Sequence, residues 1–236
     1  MELFTVGHSN YEMKAFISLL QKHGVTAVAD VRSSPYSRFL PHFNRAALKE
    51  ALATEDIHYV FLGQELGARP KNRECYINGK AVYEKIAATD EFHEGIQRVF
   101  KGVKKHRLSL MCAEKDPLTC HRAILVCQHL QHFGLHVNHI LRNGDLESHD
   151  HLEQRMLAKH ELTDFLEIKE KQAQLSLFSQ QNTNFPTREE CLEKAYKLQG
   201  DEIAYVEKRD DDYDQPHQPI HDWVHSEERS EVLRDA

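Results

Sequence analysis

Apolar positions in the first part of this chain alternate between two patterns. Short unbroken apolar runs read as buried strands: Leu3 to His8 (LFTVGH), Val25 to Val31 (VTAVADV), Ile57 to Gly63 (IHYVFLG), Arg107 to Glu114 (RLSLMCAE) and Val137 to Leu141 (VNHIL). Between them, apolar residues recur at helical spacing. Phe16, Leu19, Leu20 and His23 share one helix face, with Asn10 as the expected cap and Gly24 as the stop. Asn44 is the expected cap of a second helix, NRAALKEALATE, and further helical segments fall between about Val82 and Lys101. The segment DPLTCHRAILVCQHLQHFG has an Asp cap, Pro at the first helical position and Gly at its end.

Near-continuous apolar strands separated by helices predict an α/β fold, a mostly parallel Rossmann-like sheet of about five strands covered on both faces. Beyond Ser148 the pattern changes. SHDHLEQRMLAKHELTDFLEIKEKQ is charged and helix-like, and Thr187 with Glu190 forms a capping box for a further helix. The expected organisation is an α/β domain over 1–147, a helical extension over 148–209 and a disordered acidic tail over 210–236.

In open α/β sheets, ligands bind beyond the carboxyl ends of the strands. The strand ends here carry His8 and Ser9, then Asp30, Arg32 and Arg38, then Gln64, Glu65 and Arg69, and finally Cys112, Glu114, Cys120, His121 and Arg122. Cys112 closes a buried strand, while Cys120 and His121 fall in the first turn of the next helix. Free N–H groups and the positive end of the helix dipole there favour an anion and lower a thiol pKa. The expected catalytic groups are therefore Cys112 or Cys120 as the reactive thiol, His121 or His8 as acid/base, and Glu114. Ser9, Asp30, Arg32, Arg38, Glu65 and Arg122 are the expected substrate contacts, with the arginines on phosphate. The same residues also fit a structural reading: Cys112 a small buried hydrophobe, Cys120 under the helix, and the arginines paired with Asp30 and Glu114. A zinc site from Cys112, Cys120 and His121 is a further alternative, although the gap between the cysteines is not a zinc-knuckle spacing. No metal or other cofactor is expected. His149 and His151 beside Asp150 do not share a helix face, so a solvated helix start is expected there. Cys127 is expected in the core, and Cys75 lies in a loop with Arg69, Lys71 and Arg73.

The motifs GHSN, DVRSSPYSRFLPHFN, Tyr59 with GQELG, and MCAEKDPLTCHR followed by a strand with HI resemble domain-of-unknown-function family 488 over Leu3 to His149. The resemblance implies a Rossmann-like domain with a cysteine-bearing rim. It carries over His8, Ser9, Asp30, Arg32, Arg38, Phe43, Asn44, Glu65, Gly67, Cys112, Glu114, Cys120, His121 and Arg122, and it implies no particular reaction. Asp-Val-Arg after a buried strand is also similar to rhodaneses, but the connection from Cys112 to Cys120 differs from their compact cysteine loop.

Composition narrows the function classes. Of 236 residues, 40% are hydrophobic and 28% charged, which is ordinary for a globular protein. There is no apolar run of membrane-spanning length and no secretory start, so a cytoplasmic location and no membrane partner are expected. Five cysteines, an odd number, fit reduced thiols. A net charge of −7 argues against bulk electrostatic binding to nucleic acid. One motif answers that objection. Gln174, Leu175, Ser176, Leu177 and Phe178 spell QLSLF, which resembles the short consensus by which bacterial proteins dock on the DNA polymerase sliding clamp. Leu177 and Phe178 are suited to fill an apolar pocket on the clamp, and tethering raises the local concentration near DNA. The expected function is a clamp-tethered bacterial protein of DNA repair or replication, acting on DNA or nucleotides at the cysteine rim. The alternatives are a cytosolic thiol-dependent enzyme on a small anionic substrate, in which QLSLF is structural, and a non-catalytic adaptor.

Overall fold

A computed structural model describes residues 1–163 and 186–207. The QLSLF peptide at 174–178 and the acidic tail from Asp210 lie outside the described residues. The chain forms an α/β fold around a six-stranded sheet. Its strands are β1 (Glu2–Gly7), β2 (Ala27–Asp30), β3 (His58–Phe61), β6 (Leu108–Cys112), β7 (His136–Ile140) and β8 (Leu146–Ser148). They lie in the order β3-β2-β6-β1-β7-β8, parallel except for β8, which runs antiparallel to β7.

Both faces are covered, which explains the unbroken apolar strands. On one face, α1 (Met13–Lys22) and α2 (Arg45–Ala53) lay Phe16, Leu20, Leu48 and Leu52 over Phe4, Val6, Val28 and Met111. The other face carries α3 (Tyr83–Ala87), α4 (Asp90–Val103), a π-helical stretch (Arg122–Cys127) running into α5 (Gln128–Gln131), α6 (His149–Lys159) and α7 (Arg188–Ile203). There Phe92, Val99, Leu125, Met156 and Ala195 share one core with Leu3, Ala29, Leu110 and Val137, and Met1–Val206 form one compact unit.

Several helix starts differ from the sequence expectation. α1 begins at Met13 behind Glu12, not behind Asn10. Asn44 does precede α2, but its Oδ1 accepts from Ser37 N–H at 2.6 Å, so it ties the β2–α2 loop and leaves the helix uncapped by its side chain. Asp116 caps only a 3₁₀ turn, Pro117–Thr119, by accepting from Leu118 N–H at 2.9 Å. Cys120 is extended after it, and the helix follows. The Thr187–Glu190 capping box forms as expected. A small hairpin, β4 (Tyr76–Ile77) and β5 (Lys80–Ala81), turns at Asn78-Gly79, both at positive φ (52° and 78°), as a two-residue hairpin of this hand requires. Ala81 N–H then donates to Tyr205 O at 2.8 Å, which pins the segment after α7 beside the sheet's carboxyl edge.

The connections after β1 and β2 cross one face, and that after β6 crosses the other. β6 lies between β1 and β2, so the sheet splits its outgoing loops at the carboxyl end of β6. Such a switch point opens a crevice, and here it falls at Cys112.

Candidate functional site: a cysteine–histidine cluster at the carboxyl edge

A crevice of about 350 Å³ opens at that point. Its floor is Cys112, Ala113, Glu114 and His121, its near wall Arg32, Ser33, Ser34 and Tyr36, and its far wall Arg69, Tyr83, Ile203 and Tyr205. Cys112 ends β6 and is 3% exposed; Cys120, 1% exposed, lies behind it. The extended backbone at Cys120 folds the loop back, so donor atoms of Cys112, Glu114, Cys120 and His121 all lie within 4.8 Å of one another.

The histidine is oriented from both sides. His121 Nε2–H donates to Val31 O at 3.0 Å, leaving Nδ1 with its lone pair 3.7 Å from Cys112 Sγ. Burial works against its protonated form, but Cys120 and Glu114 overcome this and raise its pKa. The two thiols separate in the opposite sense. Burial, and then donation to Cys120, push Cys112 well up. Cys120 is drawn well down despite burial, by the hydrogen bond from Cys112 and the charge of Arg122. Glu114 is an exposed residue whose carboxyl nonetheless turns into the cluster; burial, then Cys120, raise its pKa. Cys120 Sγ lies 2.9 Å from Glu114 Oε2, and the two titrate as a coupled pair, the thiol drawn down and the carboxyl pushed up.

The matching positive charge is Arg122. It is 0% exposed and forms no ion pair with a carboxylate among the described residues. Its Nε–H donates to Thr5 Oγ1 at 3.3 Å, Nη1–H to Glu114 O at 2.7 Å and Nη2–H to Lys115 O at 3.4 Å. It thus holds the cluster loop from behind and does not point into the crevice. Gly7 allows this close approach: a Cβ there would lie 1.9 Å from Glu114 O. Two further anchors fix the loop, Arg155 on Asp116 at 2.7 Å and Gln199 Nε2–H on Leu118 O at 3.0 Å.

The other expected site residues divide. Arg32 lines the crevice, but its guanidinium is committed: Nε–H and Nη2–H donate to Asp30 Oδ1 and Oδ2 at 2.9 and 2.7 Å, and Nη2–H also reaches Phe43 O at 2.9 Å. Tyr59 OH donates to the same Asp30 carboxylate at 2.8 Å. His8 has both ring nitrogens engaged, Nδ1–H to Ser9 O at 2.9 Å and Nε2 accepting from Arg32 at 3.2 Å. Burial, then Arg32, lower its pKa from 6.5 to about 4. Ser9 sits at positive φ (44°) and extends β1 by donating its N–H to Ala113 O at 2.9 Å. Arg38 is exposed on the β2–α2 loop outside the crevice lining, and Glu65 pairs with Arg98. Cys127 is fully buried in the core, and Cys75 is buried with burial raising its pKa.

Crevice residues that strand-end reasoning did not reach include Tyr83, Ile203 and Tyr205. They come from distant segments with no local signal. Also missed was a buried polar chain behind the site. Thr5 Oγ1–H donates to His139 Nδ1 at 2.7 Å, and His139 Nε2–H to His149 Nδ1 at 2.9 Å. His149 Nε2–H donates to Tyr196 OH at 2.8 Å, which donates to Glu153 at 2.9 Å. His149 is thus buried (2% exposed), not solvated as its place at a helix start predicted.

Fold and site together define an α/β protein with an open, mostly parallel sheet and a cysteine–histidine cluster at its switch point. Residues 12–128 match the family described as Domain of unknown function DUF488. The matched stretch contains the whole cluster and Asp30, Arg32, Arg38, Glu65 and Arg122; His8 and Ser9 precede it. No curated protein and no solved structure matches the chain. No helix among the described residues is long and apolar enough to cross a membrane.

Proposed function

We propose that this chain is an enzyme of the DUF488 family in which Cys112 reacts with a phosphate-bearing substrate, a nucleotide free or within nucleic acid, seated in the crevice. The observation that carries the reading is Cys112 Sγ in the crevice floor, 3.7 Å from His121 Nδ1, with Nε2–H tied to Val31 O. This is the nucleophile–base–orienter arrangement of thiol catalysis. Burial and the hydrogen bond to Cys120 keep the proton on Cys112, and of the two cysteines it is Cys112 that lines the crevice. His121 takes the thiol proton as the sulfur attacks an electrophilic centre and returns it to the leaving group. The role of anion contact falls to Arg69, which lines the crevice with its guanidinium 4.3 Å over the Tyr205 ring, and to Ser33 and Ser34. Tyr36 and Phe39, 67% and 90% exposed on the β2–α2 loop beside Arg38, offer stacking faces for bases.

Alkylation with iodoacetamide at neutral pH, mapped by mass spectrometry, tests the reading. Cys112 is expected to react faster than Cys75, Cys127 and Cys191, with nucleotides protecting it and His121→Ala slowing it. Reaction of Cys112 no faster than that of the wholly buried Cys127 overturns it.

The QLSLF peptide favours a second element, delivery of this site to DNA by the sliding clamp in repair or replication. Pulldown with purified clamp is expected to retain the wild type and to lose a Leu177→Ala plus Phe178→Ala variant. Equal retention removes the clamp from the account.

A further inference from the structure

The four groups of the cluster have the composition of a metal-ligand set. Two sulfurs, an imidazole nitrogen and a carboxylate converge from one short stretch of chain, all within 4.8 Å. A tetrahedral ion with bonds of roughly 2.0 to 2.3 Å places its donors about 3.3 to 3.8 Å apart. The Cys112–His121 pair, at 3.7 Å, already has that separation. Closing on an ion therefore asks for shifts of an ångström or less. His121 also has the outer partner that ligating histidines use: Nε2–H on a backbone carbonyl fixes the tautomer that leaves Nδ1 free to bind. The loop bearing the donors is held by Arg122, Arg155 and Gln199, so the donors are positioned before any ion arrives.

A thiol must shed its proton to bind a divalent ion, so uptake of the ion is coupled to proton release.

We propose that Cys112, Glu114, Cys120 and His121 bind a single thiophilic divalent cation of the zinc class, with the two sulfurs and His121 Nδ1 as buried ligands and Glu114 as the exchangeable ligand facing the crevice. This rests on the same cluster as the thiol-enzyme reading and names its regulation. The bound ion occupies the Cys112 sulfur and blocks its attack; removing the ion and returning the proton to Cys112 restores the thiol. No oxidant or reductant is involved.

The test uses the full-length, reduced, chelator-stripped protein with Zn²⁺ and Co²⁺ as probes. One ion per chain is expected, with protons released as it binds. Co²⁺ should give the near-ultraviolet thiolate-to-cobalt band and the visible bands of a tetrahedral site. Cys120→Ser and His121→Ala should lose or weaken binding, and Cys191→Ser should keep it. Absence of the cobalt–thiolate band in the wild type overturns the proposal, whatever the variants do, and so does binding that survives both cluster substitutions. Iodoacetamide separates this inference from the enzyme reading. If no ion binds yet Cys112 alkylates rapidly, the metal inference alone fails. If an ion binds yet stripped Cys112 is no faster than Cys127, the enzyme reading alone fails.

Discussion

Asp30→Ala is expected to destabilise the protein by about 3 to 5 kcal/mol, because it leaves a buried charge without its partner. Asp30 is wholly buried and accepts both prongs of the Arg32 guanidinium, the Arg32 backbone N–H at 3.1 Å and the Tyr59 hydroxyl. Truncation strands a guanidinium that is itself 6% exposed, together with a phenol whose pKa burial and Asp30 now push up. Asp30→Asn, which keeps the shape and loses the charge, should fall between wild type and alanine. Adding Arg32→Leu to Asp30→Ala should recover part of the loss, since the stranded charge is then gone as well. Urea unfolding of the four proteins measures this. A cost below about 1 kcal/mol for Asp30→Ala would show that Arg32 finds water or another partner. Gly63 lets this pair sit where it does, since a Cβ there would lie 1.9 Å from Arg32 O. Arg32, so held, forms part of the near wall of the crevice.

Mild acid should unfold the protein well above the carboxylate range. Burial, then Arg32, lower His8 from 6.5 to about 4, and burial lowers His149 to about 4 as well. His139 is lowered too, by burial and then by His149. A histidine that is neutral in the folded state binds fewer protons than in the unfolded chain between those two pKa values. Stability therefore rises with pH across the window from 4 to 6.5 and is lost as pH falls through it. A shift from 6.5 to about 4 is worth about 3 kcal/mol for each of His8 and His149. Their sum approaches the whole stability of an ordinary domain, about 5 to 15 kcal/mol. Urea midpoints at pH 7.5, 6.5, 5.5 and 4.5 should be flat at the upper end and fall steeply below 6.5. A midpoint that holds steady to pH 4.5 would mean that these histidines gain solvent or a counter-charge when protonated.

The strand-end rule brings the cluster residues together because it depends on local pattern alone. Cys112 ends an apolar run, and Cys120, His121 and Arg122 follow within one loop, so any parallel sheet delivers them to one rim. The same rule does not say where the arginine head groups go. Arg32 and Arg122 sit at the rim in sequence, but a guanidinium reaches several ångströms and goes where acceptors are fixed. For Arg32 that is Asp30; for Arg122 it is Thr5 and the Glu114 carbonyl. His149 was misread for a similar reason. The partners that justify burying it, His139 and Tyr196, are brought in by β7 and α7. The Asp116–Pro117 start signal was real, but it spent itself on a 3₁₀ turn, and that turn is what brings Cys120 back to Cys112.

By itself, the sequence determined the alternation of buried strands and amphipathic helices, the parallel sheet with two covered faces, and the edge at which polar groups gather. Those follow from periodicity and from the need to hide apolar surface, which each segment carries locally. Only the tertiary structure decided which charges pair with each other inside the protein, which thiol meets the crevice, and that the end of α7 and the segment after it close its far wall through Ile203 and Tyr205. Those depend on distances between residues more than a hundred positions apart, set by how the layers pack and not by any pattern along the chain.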